Sequence, residues 1–425
     1  MAEFAATVYQ NEFLPDGGTD VNALVTITCI GAGTAGQSGS GAAGEIIIVD
    51  TSGSMGRETM EAAKDAAQAA LAEIVDGTRF AVIAGTDGAT LAYPDVQSGP
   101  ALAVMNDMTR EDASQAISRF HASGGTAIGA WLDLAGSVFA SVPEVTQRHA
   151  ILLTDGENGE AAGRLDASIQ RATGYFQCDC RGAGTDWKVE ELRRVAQALL
   201  GTIDILPSPA EMPEDFRAMM QTSMARGVAN AQLRVWSPQG AQVLFVRQVA
   251  PTVEDLSDRR VEVNALTGAY PTGAWGDETR DYHVAVRLAA KAVGQEQLAA
   301  RVQLAIGDDV SAQGLVKATW SNDSELTAKI DTQVAHYTGQ VELASMIQEG
   351  LAAKAAGDDA TATTKLGRAV QLAAESGNAE ATTRLRKVVD VDDEKEGTVR
   401  LKRTIDKADE MALDTASTKT TRIKK

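Results

Sequence analysis

Side chains with oxygen atoms occur at three places in the chain. Two groups follow apolar runs, and a third precedes a helix-like segment. The segment Asp50–Ser54 (DTSGS) comes directly after the run Ile46–Val49, and Asp155 comes shortly after the run Ile151–Leu153. Thr126, in a Gly-Gly-Thr triplet, precedes a pattern typical of a helix. Carboxylate and hydroxyl oxygens are hard donors, and Mg²⁺ prefers near-octahedral oxygen coordination in which it keeps several waters. These residues therefore have the chemistry of a site for a hard divalent cation.

The composition of this set predicts an incompletely neutralised metal. Asp50 supplies one carboxylate, and Asp155 supplies a second acid further from the ion. The neutral hydroxyls come from Ser52, Ser54 and Thr126. An Mg²⁺ or Mn²⁺ ion held in this way stays electrophilic and favours a carboxylate from outside the chain as its sixth ligand. Taken singly, such hydroxyls are also typical helix caps and an Asp-Gly pair is typical of a turn, but their joint position favours the metal site.

Strand-like and helix-like segments alternate between residues 45 and 208, which is typical of an open, mostly parallel α/β sheet. The carboxyl ends of parallel strands meet at one edge of such a sheet, and ligand sites form beyond that edge. We therefore expect Asp50, Thr126 and Asp155 on neighbouring loops. The expected strands are residues 45–49, 79–84, 149–153, 175–181 and 203–206, with helices over residues 57–75, 110–120, 127–140 and 187–200.

The flanking sequence predicts further domains around an α/β domain of residues 44–209. Residues 229–330 contain alternating, β-branched segments separated by turn residues, which indicates a β-sandwich-like domain. Residues 1–43 are a β segment with a Gly/Ser linker. We expect this β segment to pair with the sandwich; the alternative is that it extends the α/β sheet or lies free. Residues 332–390 predict an Ala-rich helical segment, and residues 391–425 predict a charged, Thr-rich and disordered tail.

Charge and composition exclude several function classes. The net charge of −19 repels phosphate backbones and anionic lipids, so we expect neither nucleic-acid nor membrane binding. Three cysteines cannot build a disulfide scaffold, and Cys178 and Cys180, on one side of an expected strand, are interpreted as structural thiols. No Lys or Arg precedes Arg57, so a secretory signal peptide would have no charged n-region. The expected location is the cytoplasm.

The sequence has no motif of a catalytic site. It lacks a Walker lysine motif, a nucleophile elbow, a kinase signature and the His-Glu-x-x-His motif. A Gly-x-Gly-x-x-Gly pattern at residues 31–36 is followed by a short Gly/Ser/Ala stretch instead of the helix that dinucleotide binding requires. We therefore predict a protein that is not an enzyme and that binds no organic cofactor.

The three motifs together resemble the von Willebrand factor A (VWA) domain. They are Asp-x-Ser-x-Ser at residues 50–54, Gly-Gly-Thr at 124–126 and Leu-Leu-Thr-Asp-Gly at 152–156. The resemblance implies a Rossmann-like, doubly wound sheet with a metal-ion-dependent adhesion site (MIDAS). It implies that residues matching Asp50, Ser52 and Ser54 contact the metal directly. It further implies that Thr126 moves on or off the metal, that Asp155 acts through water, and that the domain binds a protein rather than catalysing a reaction.

The layout of the whole chain is similar to intracellular bacterial VWA proteins linked to tellurite resistance and to Ser/Thr kinases. This resemblance implies a scaffold in phospho-signalling or stress response, whose partner protein supplies a carboxylate to the metal. The alternative is an adaptor that presents substrates to an AAA or chelatase-type ATPase.

The last residues of the chain differ from the acidic body because they are basic and rich in threonine. Thr420 is followed three positions later by Ile423. This spacing resembles the phosphothreonine ligands of forkhead-associated domains. It leads to the hypothesis that Thr420 is a phosphosite, with a forkhead-associated domain protein or a Ser/Thr kinase as partner. The alternative interpretation is a frayed, soluble terminus.

Overall fold

The structure is a computed structural model that describes residues 2–36, 42–95 and 102–423. Residues 37–41 of the expected Gly/Ser linker and the last two residues of the tail lie outside the described residues. None of the helices in these ranges has the length and apolar character needed to cross a membrane. The chain divides into two compact units, which are Gly31–Asn230 with Gly273–Gly276, and Ala2–Ile30 with Ala231–Thr272 and Asp277–Lys425.

The elements are numbered in chain order over the described residues. The strands are β1 (Glu3–Gln10), β2 (Phe13–Leu14), β3 (Asp20–Ile30), β4 (Ala42–Asp50), β5 (Arg79–Gly85), β6 (Ala89–Tyr93), β7 (Ala103–Val104), β8 (Val145–Thr154), β9 (Gln177–Ala183), β10 (Ile203–Leu206), β11 (Val228–Trp236), β12 (Gln242–Ala250), β13 (Glu254–Asp255), β14 (Val261–Asn264), β15 (Thr267–Trp275), β16 (Thr279–Arg287), β17 (Glu296–Ile306), β18 (Asp309–Trp320), β19 (Val389–Asp393) and β20 (Thr398–Leu401). The helices are α1 (Gly56–Glu73), α2 (Asp107–Ser118), α3 (Ile128–Ala140), α4 (Arg164–Ala172), α5 (Val189–Ala198), α6 (Met212–Met224), α7 (Ser324–Thr327), α8 (Thr332–Ala355), α9 (Asp359–Glu375), α10 (Ala379–Val388) and α11 (Lys407–Ala416).

The first unit contains one sheet in the order β10-β9-β8-β4-β5-β6, with β7 also paired to β5. The strands from β10 to β5 are parallel, whereas β6 and β7 run antiparallel to β5. Side chains of a strand alternate between its two faces, so a strand covered on both faces needs a continuous apolar run. Ile47 and Val49 of β4 pack with α1, α2 and α6 on one face, and α3, α4 and α5 lie outside that cluster. This arrangement confirms the predicted Rossmann-like α/β fold.

The second unit contains two sheets that are largely antiparallel, in the orders β1-β3-β16-β12-β13 and β14-β15-β11-β17-β18-β2. Strand β3 pairs with β16 from Asp20 opposite Arg287 to Thr28 opposite Thr279. The two sheets approach closely at Gly314 of β18, where an added Cβ would lie 2.5 Å from Val8 Cγ2 of β1. Strands β1 and β3, which precede the α/β domain in the chain, thus form one sheet with β12 and β16, which follow it.

The C-terminal part of the second unit is folded, so the prediction of a disordered tail is wrong. Residues 389–401 form the hairpin β19–β20, and residues 407–416 form α11. Val389, Val399 and Leu413 are buried in a cluster with α8, α9 and α10. These few apolar residues anchor a segment whose average composition is polar, which is why composition alone indicated disorder.

A buried charge network crosses the sheet of the first unit. His149 of β8 lies between Glu45 and Asp179, with Nδ1 2.7 Å from Glu45 Oε2 and Nε2 2.9 Å from Asp179 Oδ2. All three residues are at most 5% exposed. Burial alone would lower the pKa of His149, but the two carboxylates outweigh it and raise the pKa to about 9. A charged imidazole therefore holds three neighbouring parallel strands together.

We predict that this network makes stability fall in alkaline solution. The pKa of His149 is higher in the folded state than its unfolded value of 6.5, so protonation stabilises the fold. This stabilisation is complete below pH 6.5 and is lost as the pH rises through about 9. The expected loss is about 3 kcal/mol for a buried group with such a shift. Denaturant unfolding between pH 6 and 10 measures it. His149→Gln should be less stable at pH 6 and should have a smaller alkaline slope; equal slopes in both proteins would contradict the assignment.

Candidate metal centre

Asp50 is the last residue of β4 and lies at the carboxyl edge of the parallel sheet, beside the ends of β5 and β8. Its side chain is fully buried. Oδ1 accepts a hydrogen bond from Ser52 N at 2.7 Å, and Oδ2 accepts one from Thr154 Oγ1 at 2.5 Å. These bonds fix the carboxylate where the chain turns from β4 towards α1.

The two serines connect the β4 loop to the loop after β8. Ser52 Oγ lies 2.8 Å from Ser54 Oγ, and Ser54 Oγ donates to Asp155 Oδ1 at 2.6 Å. Ser52 is buried and Ser54 is exposed. The structure therefore brings four of the five expected metal-site residues into one continuous set of polar contacts.

Thr126 completes the group from a third loop. Gly53 N donates to Gly124 O at 2.9 Å, which binds the Gly-Gly-Thr loop to the β4 loop. A Cβ added to Gly156 would lie 3.0 Å from Thr126 Oγ1 and 3.1 Å from Ser54 Oγ. Both hydroxyls thus converge on a position that only a glycine next to Asp155 leaves open.

The site is short of positive charge. Burial is the largest cause that raises the pKa of Asp50, although hydrogen bonds from Ser52 and Thr154 oppose it. Burial also raises the pKa of Asp155 to about 6, and the nearby Asp50 and Asp186 carboxylates add to this effect. Within the described residues, neither Asp50 nor Asp155 forms an ion pair with a Lys or Arg. A bound cation would supply the charge that favours both ionised carboxylates.

The donor set fits a hard divalent cation. It offers carboxylate and hydroxyl oxygens and no thiolate or imidazole, which are the ligands that softer metals prefer. In the part of the chain that the structure describes, no three His, Cys, Asp or Glu side chains cluster as a metal site. Any cation bound here therefore depends on the hydroxyls of Ser52, Ser54 and Thr126.

Sequence reasoning missed Thr154 as a member of the site. Its hydroxyl donates to Asp50 and also lies 3.3 Å from Gly156 O. The sequence feature that could have identified Thr154 is its position at the end of a buried strand, directly before Asp155. The remaining expected site residue, Thr420, lies on the tail in the second unit. There, its Oγ1 donates to Val249 O at 2.7 Å and to Pro251 O at 3.1 Å.

Comparison with known proteins defines the class of this chain. A family model of the von Willebrand factor type A domain matches residues 45–205, and one of the von Willebrand factor type A C-terminal domain matches residues 371–417. A solved von Willebrand factor type A structure from Catenulispora acidiphila is 46% identical, with a TM-score of 0.93 over 99% of this chain and 97% of that chain. The chain belongs to the von Willebrand factor type A family.

Two further proteins are more distant. The ArnB paralog VWA2 of Sulfolobus acidocaldarius is 13% identical with a TM-score of 0.60, and the match covers 98% of each chain, so it shares the fold. An uncharacterized protein of Synechocystis sp. is 30% identical over 218 residues, which are 50% of this chain and 49% of that protein. The chain thus matches about half the length of this curated relative. VWA domains are commonly protein-interaction modules and typically bind a divalent metal.

We predict that Asp50→Asn abolishes Mg²⁺ and Mn²⁺ binding, because the amide supplies neither the negative charge nor the second acceptor oxygen. The metal-free variant should remain folded, since it no longer buries an unpaired charge. Isothermal titration calorimetry measures the affinity. Asp65→Asn is the matched control, because this exposed acid within α1 changes the charge equally without belonging to the site. Unchanged Mg²⁺ affinity in Asp50→Asn would refute the assignment.

Proposed function

We propose that the VWA unit is a non-enzymatic, metal-dependent protein-interaction module with an intact MIDAS. Asp50, Ser52 and Ser54 hold Mg²⁺ or Mn²⁺ directly, Thr126 joins or leaves the ion, and Asp155 acts through water. The observation that carries this proposal is the contact series from Asp50 through Ser52 and Ser54 to Asp155 at the carboxyl edge of the sheet.

The charge balance indicates what the module binds. Only one of the direct ligands is charged, so an ion of charge +2 keeps a net charge of +1 among its direct ligands, and Asp155 acts on it only through water. A carboxylate from an Asp or Glu of a partner protein is a hard anionic oxygen ligand that completes both the coordination and the neutralisation. The metal thus links the two proteins, and no chemical step is required of the chain.

The cellular role that we propose is a cytoplasmic scaffold in bacterial phospho-signalling or stress response. Its support is the resemblance of the sequence layout to the tellurite-resistance and kinase-linked type; the similarity to a Catenulispora acidiphila protein over nearly the whole chain supports the family alone. Within this role the partner is a protein with an accessible acidic side chain.

We also propose Thr420 as a phosphosite that is available when the tail leaves its position. The Thr420 hydroxyl donates to two carbonyl oxygens, and Arg422 of the same segment lies 3.1 Å from the buried Asp281 carboxylate. A phosphate on Thr420 Oγ1 removes that donor and places negative charge against two carbonyl oxygens. Phosphorylation therefore releases the tail from this position. The Thr-x-x-Ile spacing of the released tail suits a forkhead-associated domain.

The interaction proposal is tested with displayed random peptides selected on the full-length protein in Mg²⁺. We expect enriched peptides to share an Asp or Glu. Binding should fall at least about 10-fold, the scale of one good charge-assisted contact, when that residue becomes Asn or Gln. The same loss is expected in EDTA and with Asp50→Asn. Enriched peptides that bind equally well in EDTA would contradict the proposal.

The phosphosite is tested with synthetic peptides of residues 411–425 and purified forkhead-associated domains from the same organism. The Thr420-phosphorylated peptide should bind, because a phosphate accepts charge-assisted hydrogen bonds from an Arg-lined loop. The unmodified peptide and a phosphorylated Ile423→Ala peptide should bind more weakly. Equal, weak binding of all three peptides would eliminate Thr420 as such a ligand.

A further inference from the structure

The loop that follows Asp155 returns to the N-terminus of α3. Asn158 Oδ1 accepts a hydrogen bond from Ile128 N at 3.0 Å. Glu160 accepts two more, from Gly129 N at 2.7 Å and from Ala130 N at 3.2 Å. The loop backbone adds a bond from Gly159 N to Thr126 O at 2.7 Å. The segment carrying Asp155 therefore binds the segment carrying Thr126 at four backbone positions.

Helix α3 depends on this loop because it has no cap of its own. Its N-cap residue is Ala127, whose side chain makes no capping hydrogen bond. The first N–H groups of a helix need partners from outside the helix, and a carboxylate is favoured there by the helix dipole. The Glu160 side chain is only 9% exposed, so its two acceptor bonds are held away from bulk water.

Gly129 provides the space for this carboxylate. A Cβ added to Gly129 would lie 2.5 Å from Glu160 Oε2 and 2.9 Å from Ser168 Oγ. Any other residue at this position of α3 would displace the Glu160 carboxylate from the two N–H groups. The glycine in the first turn of a helix is thus explained by the acid that it accommodates.

We propose that Glu160 is a positioning residue of the metal site, which fixes the Thr126 hydroxyl relative to the Asp155 carboxylate by joining their two loops into one body. This inference rests on the proposed metal-binding function. Glu160 itself does not contact the ion. The β4 loop with Asp50 bonds to both of these loops, through Gly53 N to Gly124 O and through Ser54 Oγ to Asp155 Oδ1.

The test is Mg²⁺ calorimetry on metal-free, full-length protein. Glu160→Ala should raise the Mg²⁺ Kd by about 10-fold to 100-fold, the usual effect of removing a residue that orients a metal ligand. Glu160→Gln should be intermediate, because its amide oxygen can accept one of the two N–H bonds and carries no charge. Gly129→Ala should resemble Glu160→Ala, since the methyl group displaces the carboxylate. The double variant Gly129→Ala/Glu160→Ala should be no weaker than Glu160→Ala alone.

Glu157→Ala is the matched control, because this acid of the same loop is 55% exposed and pairs with Lys188 instead of α3. It should bind Mg²⁺ as the unmodified protein does. If Glu160→Ala and Gly129→Ala lower the melting temperature of the metal-free protein but leave the Mg²⁺ Kd unchanged, Glu160 is only a helix cap and the inference is overturned. Gly129→Ala keeps the test decisive if Glu160→Ala does not fold, since Ala is favoured over Gly within a helix. Unmodified protein that binds no Mg²⁺ would overturn the proposed function as well.

Discussion

The first unit depends on one constraint, which is the placement of two carboxylates at one edge of its parallel sheet. These are Asp50 and Asp155, and no cationic side chain of the described residues pairs with either. Removing such charges from water costs several kcal/mol per ion unless hydrogen bonds or a counter-ion compensate. Ser52, Ser54 and Thr154 supply hydrogen bonds that offset part of this cost. Burial raises the pKa of each carboxylate in spite of these hydrogen bonds, so the compensation is incomplete.

The fold satisfies this constraint because parallel strands bring distant segments to one edge. Asp50 and Thr154 end the neighbouring strands β4 and β8, so they meet although 104 positions separate them in the chain. Gly156 leaves space for the hydroxyls of Thr126 and Ser54. On another part of the same strands, the charged His149 lies between Glu45 and Asp179 and holds the sheet together from inside. The same sheet thus contains two charge clusters. In one, His149 balances Glu45 and Asp179; in the other, no cationic side chain of the described residues balances Asp50 and Asp155.

The apolar runs before Asp50 and Asp155 were sufficient to predict the sheet and the edge at which these acids lie, since strands buried on both faces need such runs. The spacing of hydroxyls and acids predicted which side chains would meet there. Glu160 could not be predicted, because its role depends on contacts between loops that follow different strands, whereas Thr154 was missed although it stands directly before Asp155. The tail was wrongly expected to be disordered, because averaging its charge conceals Val399 and Leu413, which are buried in a cluster with the C-terminal helices.

The central claim is that the hydroxyls and carboxylates at this edge form a divalent-cation site, and locating the ion tests it most directly. A crystal of the full-length protein grown with Mn²⁺ locates the ion in an anomalous difference map. The account predicts a peak bonded to the Asp50 carboxylate and to the hydroxyls of Ser52 and Ser54, with Thr126 and Asp155 beside it. Strong Mn²⁺ peaks elsewhere on the chain, with none at this edge, would contradict the account.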